Sequence, residues 1–121
     1  MDEYIPPKEW KKIDVLTALA PDGTRAWLDV RGLVGLTRPD GAYLSLGASL
    51  ADTGDEPHGR GYSPPPEGSR ICVFAEDNLT WRKDGRPTVE VVPSRLREIF
   101  LESIFTALSS VGYYLEFRKQ S

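Results

Sequence analysis

Apolar and polar residues alternate along most of the chain, and the alternation is broken by a few compact turn signals. Pro21-Asp22-Gly23, Pro39-Asp40-Gly41 and Lys83-Asp84-Gly85 each separate stretches in which every second residue is apolar. That spacing is the signature of half-buried strands. Each Gly-terminated triplet predicts a three-residue hairpin loop: two residues in a type I turn, then Gly in the left-handed region. The first turn then pairs Ala20 with Thr24, Ala18 with Ala26 and Leu16 with Leu28. The second pairs Arg38 with Ala42, Leu36 with Leu44 and Val34 with Leu46. Between them, a central strand carries Ala26, Leu28, Val30, Gly32, Val34 and Leu36 on one side. Both hairpins turn that side inward, and a slip of one residue would expose it all.

At the third turn, a two-residue loop would set Leu79 and Trp81 beside Thr88 and Glu90. A three-residue loop groups Leu79, Trp81, Val89 and Val91 instead, and this more consistent register is the expected one. Glu76-Asp77-Asn78 then turns Ile71, Val73 and Ala75 onto the same face. The residues expected to be mostly buried include Leu28, Val30, Leu36, Leu44, Trp81 and Val91.

A helix follows. Ser94 suits its N-cap, and Leu96, Ile99, Phe100, Ser103, Ile104, Ala107, Leu108 and Val111 recur at helical spacing. Gly112 is a natural stop. The expected class is therefore α+β, mainly antiparallel β. It comprises two three-stranded meanders at about 12–50 and 70–92, a C-terminal helix at about 94–111 and a final strand at about 113–118. The prolines before Trp10 could open a helix, but strand is preferred for residues 12–19. In element order alone, two bent meanders closed by a helix resemble the pleckstrin-homology-type barrels, with six strands instead of seven and no matching motif.

The chain has 121 residues, 40% hydrophobic and 27% charged, which fits one domain spanning 1–121 and argues against disorder of the whole chain. A net charge of −3 argues against a dedicated nucleic-acid binder. The single cysteine, Cys72, sits in an apolar run where a buried, inert thiol is expected. The acidic start Met1-Asp2-Glu3-Tyr4 has no apolar signal core, and no apolar stretch approaches the ~20 residues of a membrane span, so a cytoplasmic protein is expected.

Sites for chemistry are sparse. A Gly/Pro-rich connection at about 51–69, expected to be flexible, holds His58 near Asp52, Asp55 and Glu56. Without a second His or Cys, this set is not expected to hold a metal. No nucleophile elbow and no phosphate-binding Gly-rich loop occurs in a fitting context. Asp29, Glu76, Asp77 and Glu90 are candidates for acid–base work, though among 18 acidic residues such pairs arise by chance. Trp81, Arg82, Lys83 and Arg86 could stack and hold a nucleic acid, but the register turns Trp81 into the core. No cofactor is expected.

Surplus large side chains are more informative. Leu101 and Phe105 lie beside the main helical stripe and widen it. Trp27, Leu33 and Tyr43 fall opposite the inward face of the sheet, with Arg25, Asp29 and Arg31 between them. Aromatic residues mixed with arginine are typical of protein-binding hot spots. Trp27, Tyr43, Arg25, Arg31, Leu101 and Phe105 are therefore the candidate partner-binding residues. The expected function is a non-enzymatic protein-binding module such as a stoichiometric inhibitor, an immunity-type protein or an adaptor. The alternatives are a small-ligand-binding or enzymatic domain with the 51–69 loop as a lid, and a structural homodimer.

Overall fold

The computed structural model describes residues 7–14, 16–29, 33–50, 66–75 and 79–119. The strands are β1 (Lys11–Asp14), β2 (Thr17–Leu19), β3 (Arg25–Asp29), β4 (Leu33–Thr37), β5 (Tyr43–Leu50), β6 (Arg70–Ala75), β7 (Thr80–Lys83), β8 (Arg86–Val91) and β9 (Tyr114–Lys119). One helix, α1 (Ser94–Ser110), lies between β8 and β9. The class is α+β, with a mainly antiparallel curled sheet, a C-terminal helix and a final strand.

The two Pro-Asp-Gly turns form as their chemistry dictates. Gly23 and Gly41 have φ of 95° and 92°. The Asp22 and Asp40 carboxylates accept the N–H groups of Thr24 and Ala42 at 2.9 and 3.0 Å. Proline presets φ, aspartate satisfies a backbone donor two residues on, and glycine takes the left-handed position. The registers Ala18↔Ala26, Leu36↔Leu44 and Val34↔Leu46 follow.

The expected central strand is instead a hairpin. Asp29 pairs with Leu33 and Arg25 with Thr37, so β3 and β4 run antiparallel around a connection at 30–32. Val30 therefore lies outside the described residues, as does the Glu76-Asp77-Asn78 turn. The inward face was nevertheless assigned correctly, because a three-residue connection keeps even-numbered residues on the same side of the sheet. The segment before the first turn is strand, as expected, but it splits. The Asp14 carboxylate accepts the Leu16 N–H at 2.7 Å, and β1 folds back onto β2. Strands β1 to β5 thus form a longer meander than expected.

The strands at 70–92 do not form a meander of their own. β5 serves both neighbours: Ala48–Leu50 pairs with β6, and Tyr43 pairs with Arg82 of β7. β9 then pairs in parallel with β6, from Arg70↔Tyr114 to Ala75↔Lys119. This parallel closing strand, reached through the helix, also departs from the pleckstrin-homology element order.

The third turn corrects the expected register. Lys83 pairs with Arg86, leaving a two-residue loop in which Asp84 and Gly85 have φ of 55° and 77°. Both central residues are left-handed, as in a type I′ turn. Lysine, unlike Pro21 or Pro39, does not lock φ, so Asp-Gly itself becomes the turn. Val89 and Val91 consequently face outward, Val91 being 56% exposed where burial was expected. Thr88 and Glu90 face inward. The Thr88 hydroxyl donates to the Trp81 carbonyl at 2.9 Å and accepts the Glu90 N–H at 3.1 Å, bridging the irregularity in the β7–β8 ladder.

Leu28, Leu36, Leu44 and Trp81 are buried as expected. They join Phe100, Ile104, Ala107 and Leu108 of α1, and Val111 at its C-cap, in one cluster. The helix is rotated slightly from expectation: Leu101 is buried and Ile99 is exposed. Its N-cap is Pro93 rather than Ser94, with the Pro93 carbonyl accepting from Leu96 and Arg97. It ends in a Schellman motif, with the Tyr113 N–H on the Leu108 carbonyl at 3.0 Å and Gly112 at φ 101°. Trp81 packs edge-on against Phe100, with centroids 5.4 Å apart, and carries the Arg38 guanidinium 4.4 Å above its ring. Arg38 also bonds Glu90 at 2.9 Å and Asp40 at 2.8 Å.

Two stability measurements check this account. Leu28→Ala should cost about 2–5 kcal/mol in denaturant melts. The Asp40 carboxyl is held below its usual range by its bond to Arg38 and then by the Ala42 N–H. Its contribution is therefore full above an ordinary Asp pKa of about 3.9 and is lost as pH falls through the depressed value. Asp40 is half-exposed, so the effect is of surface size. Arg38→Met should lower stability at neutral pH by about 1–3 kcal/mol and weaken the acid dependence. An unchanged acid limb would contradict the assignment.

Candidate functional site

Even-numbered residues of β2 to β5 point at the helix, so the odd-numbered ones form the opposite face. On β3, β4 and β5 these are Arg25, Trp27, Asp29, Leu33, Gly35, Thr37, Tyr43, Ser45, Gly47 and Ser49. No described element covers this surface: α1 packs with the core cluster on the other side. The face is half-buried rather than buried, because its own side chains lie against each other.

The cross-strand pair Trp27↔Gly35 organises it. A Cβ on Gly35 would lie 2.4 Å from the Trp27 ring and 2.4 Å from the Leu44 carbonyl oxygen. Only glycine leaves room for an indole lying along the sheet. The indole N–H then donates to the Thr37 hydroxyl at 3.0 Å. Phe74 lies opposite Gly47, 3.9 Å from where its Cβ would be, an ordinary van der Waals contact. Tyr43 is half-buried beside this row and pairs with Arg82 of β7, while Arg25 is exposed at the rim. Leu33 is 37% exposed.

Beyond Phe74 the face becomes charged. Arg70 bonds Glu116, and Arg118 lies 3.7 Å from the same carboxylate. The Arg70 bond, with both arginine charges adding to it, holds the Glu116 carboxyl below its ordinary range. The surface therefore consists of a planar, nearly neutral area on β3–β5 beside an ion-paired area on β6 and β9.

The structure gathers Trp27, Tyr43 and Arg25 and separates them from the helical candidates. Leu101 packs into the core, so its assignment to a partner surface is corrected. Its place on the helix, beside the main stripe, is taken up by the slight rotation of α1. Phe105 is 42% exposed and tilts against Phe117 of β9, with centroids 6.4 Å apart. Arg31 and His58 lie outside the described residues, as does the 51–69 connection up to Pro65. The end of that connection is tied down: Glu67 pairs with Lys12 at 2.7 Å, and the Gly68 N–H bonds the Gly112 carbonyl at 2.6 Å. Sequence reasoning missed Gly35, Gly47 and Phe74. The signal available was a glycine placed opposite an aromatic residue, legible only once β3 and β4 are known to pair.

The candidates for chemistry are dispersed. Cys72 is buried, and Glu90 is engaged by Arg38. Among the described residues, no group of three or more His, Cys, Asp or Glu side chains is placed to hold a metal ion. Nor is any described helix long and apolar enough to cross a membrane. A hollow of about 330 Å³ lies between Trp10 and the first turn, lined by Glu9, Trp10, Lys11, Leu19, Ala20 and Pro21. The buried Trp10 indole N–H has no hydrogen-bond partner among the described residues.

The arrangement suits recognition by shape and planar contact. Compared with protein-family models, curated proteins and solved structures, the chain matches none.

Proposed function

We propose that the chain is a non-enzymatic protein-binding module, acting as a stoichiometric inhibitor, immunity-type protein or adaptor, and that its partner seats on the outer face of β3–β5. The observation that carries this reading is the pinned indole of Trp27. It rests on Gly35 and is bonded to Thr37, on a face that no described element covers. A large side chain ordered before binding loses less freedom on association, which otherwise costs about 0.5–1.5 kcal/mol per immobilised side chain. Arg25 and Tyr43 at its edge supply a charged group and a second ring, the mixture found in interface hot spots.

The outer face is favoured over the helical side because Leu101 is in the core and Phe105 is partly satisfied by Phe117. Trp27→Ala is not the diagnostic variant, since it also bares Gly35. Tyr43→Ala and Arg25→Glu leave the core untouched, so their melts should stay within about half a kcal/mol of the parent. In pull-downs from host lysate, each should weaken capture of a specific protein. A loss of 2 kcal/mol, on the order of thirtyfold in affinity, is expected for a central anchor. Phe105→Ala should capture normally. Equal capture by all variants, or binding of a small molecule with no protein partner, would overturn the proposal.

A further inference from the structure

Asp-Gly occurs three times in the chain, at 22–23, 40–41 and 84–85, each time at the tip of a hairpin. The dipeptide carries its own chemistry. The glycine main-chain nitrogen attacks the aspartyl side-chain carboxyl carbon. A C–N bond forms, the carboxyl C–O bond breaks, and the hydroxyl leaves with the amide proton as water. Water then reopens the five-membered succinimide. Opening at the main-chain carbonyl routes the chain through Cβ and gives isoaspartate; opening at the other carbonyl restores aspartate. Glycine, with no side chain, obstructs the attack least. The reaction needs a carboxyl group free to swing, an amide N–H free to leave its acceptor, and a turn able to open.

All three aspartates are exposed, so exposure does not separate them. Hydrogen bonding does. The Asp22 carboxylate accepts the Thr24 N–H at 2.9 Å, and the Gly23 N–H donates to the Ala20 carbonyl at 3.0 Å. The Asp40 carboxylate accepts the Ala42 N–H at 3.0 Å and two guanidinium nitrogens of Arg38 at 3.2 and 2.8 Å. The Gly41 N–H donates to the Arg38 carbonyl at 2.9 Å. Arg38 also holds the Asp40 carboxyl below its ordinary range, and an ionised carboxylate has no hydroxyl to lose. Pro21 and Pro39 stiffen these two turns further.

Asp84 differs on each count. Among the described residues, neither its carboxylate nor the Gly85 N–H has a hydrogen-bond partner; the Gly85 carbonyl alone is engaged, by Arg82 at 2.9 Å. Lysine rather than proline precedes it. Asp84 itself stands at φ 55°, a left-handed conformation that the other two turns assign to their glycines, so opening this turn relieves strain. No heavy atom lies within 4 Å of where a Gly85 Cβ would be, which leaves room for the ring. The geometry points to Asp84 as a site of covalent self-modification, converting to isoaspartate through a succinimide with Gly85 while Asp22 and Asp40 are protected. The product has one more main-chain bond, which no longer fits the two-residue loop that Lys83 and Arg86 close. The change therefore falls on the hairpin that carries Trp81 and Glu90 to Arg38.

The other two Asp-Gly pairs are internal controls, and trypsin places the three in three different peptides. The full chain is incubated folded at neutral pH and 37 °C for several weeks. Isoaspartate is then located by peptide mapping with electron-transfer fragmentation, and its total measured with a protein-isoaspartate methyltransferase and labelled methyl donor. Two further hydrogen bonds must break before Asp22 or Asp40 can react, which sets the expected preference for Asp84 on the order of tenfold. A succinimide, one water lighter, should appear first in the Asp84 peptide. In guanidinium chloride the three rates should converge, since only the dipeptide then remains in common. Asp84→Glu, which lengthens the side chain, should remove most of the methyl acceptance of the folded chain. Equal or faster conversion at Asp22 or Asp40 in the folded chain, a preference unchanged in denaturant, or no conversion at Asp84 while the denatured chain reacts would each overturn the inference.

Discussion

Burial of the even-numbered side chains of β2 to β5 beneath a single helix is the interaction on which the rest of this structure depends. Ala18, Ala26, Leu28, Val34, Leu36, Leu44 and Leu46 meet Phe100, Ile104, Leu108 and Val111 in one cluster. Each fully buried large aliphatic or aromatic side chain contributes roughly 1.5–3 kcal/mol relative to exposure. Once that face is committed, the odd-numbered residues have only the other side to occupy. The outer face with Trp27 and Tyr43 is therefore a consequence of the helix position.

Trp81 extends the same core to the β7–β8 hairpin, which pairs with the main sheet at Tyr43↔Arg82. The indole contacts Phe100 by its edge and Arg38 by its face. Arg38 in turn engages Glu90, a carboxylate that the two-residue turn brings inward. A polar residue on the inner side of a strand is tolerable when it is paired. Here Thr88 and Glu90 both are, which lets the hairpin turn its valines outward.

The proposed binding face follows one physical logic. The side chains involved are large or apolar, and the core is complete without them. The Trp27 ring is held by a glycine seat and a hydroxyl. Rigid placement on strands favours precise contact over adaptable contact.

The sequence by itself determined which residues face inward on β2 to β5, the positive φ of Gly23, Gly41 and Gly85, the helix with its Gly112 stop, and the existence of an outer aromatic row. These are local: proline fixes a torsion, glycine admits one, and alternation has a period of two. That parity survived even the wrong topology at 30–32, since Asp29 pairs with Leu33 and an odd number of residues lies between them. Only the tertiary structure decided that Asp84-Gly85 makes a two-residue turn, that β5 is shared by β6 and β7, and that β9 lies parallel to β6. It also decided that Leu101 rather than Ile99 enters the core, and that Trp27 lies on Gly35. Each of these depends on which distant strand or helix is the neighbour. Loop-length alternatives of similar local energy are chosen by packing, and in the third hairpin the inward Glu90 meets Arg38, a partner 52 residues away in the chain.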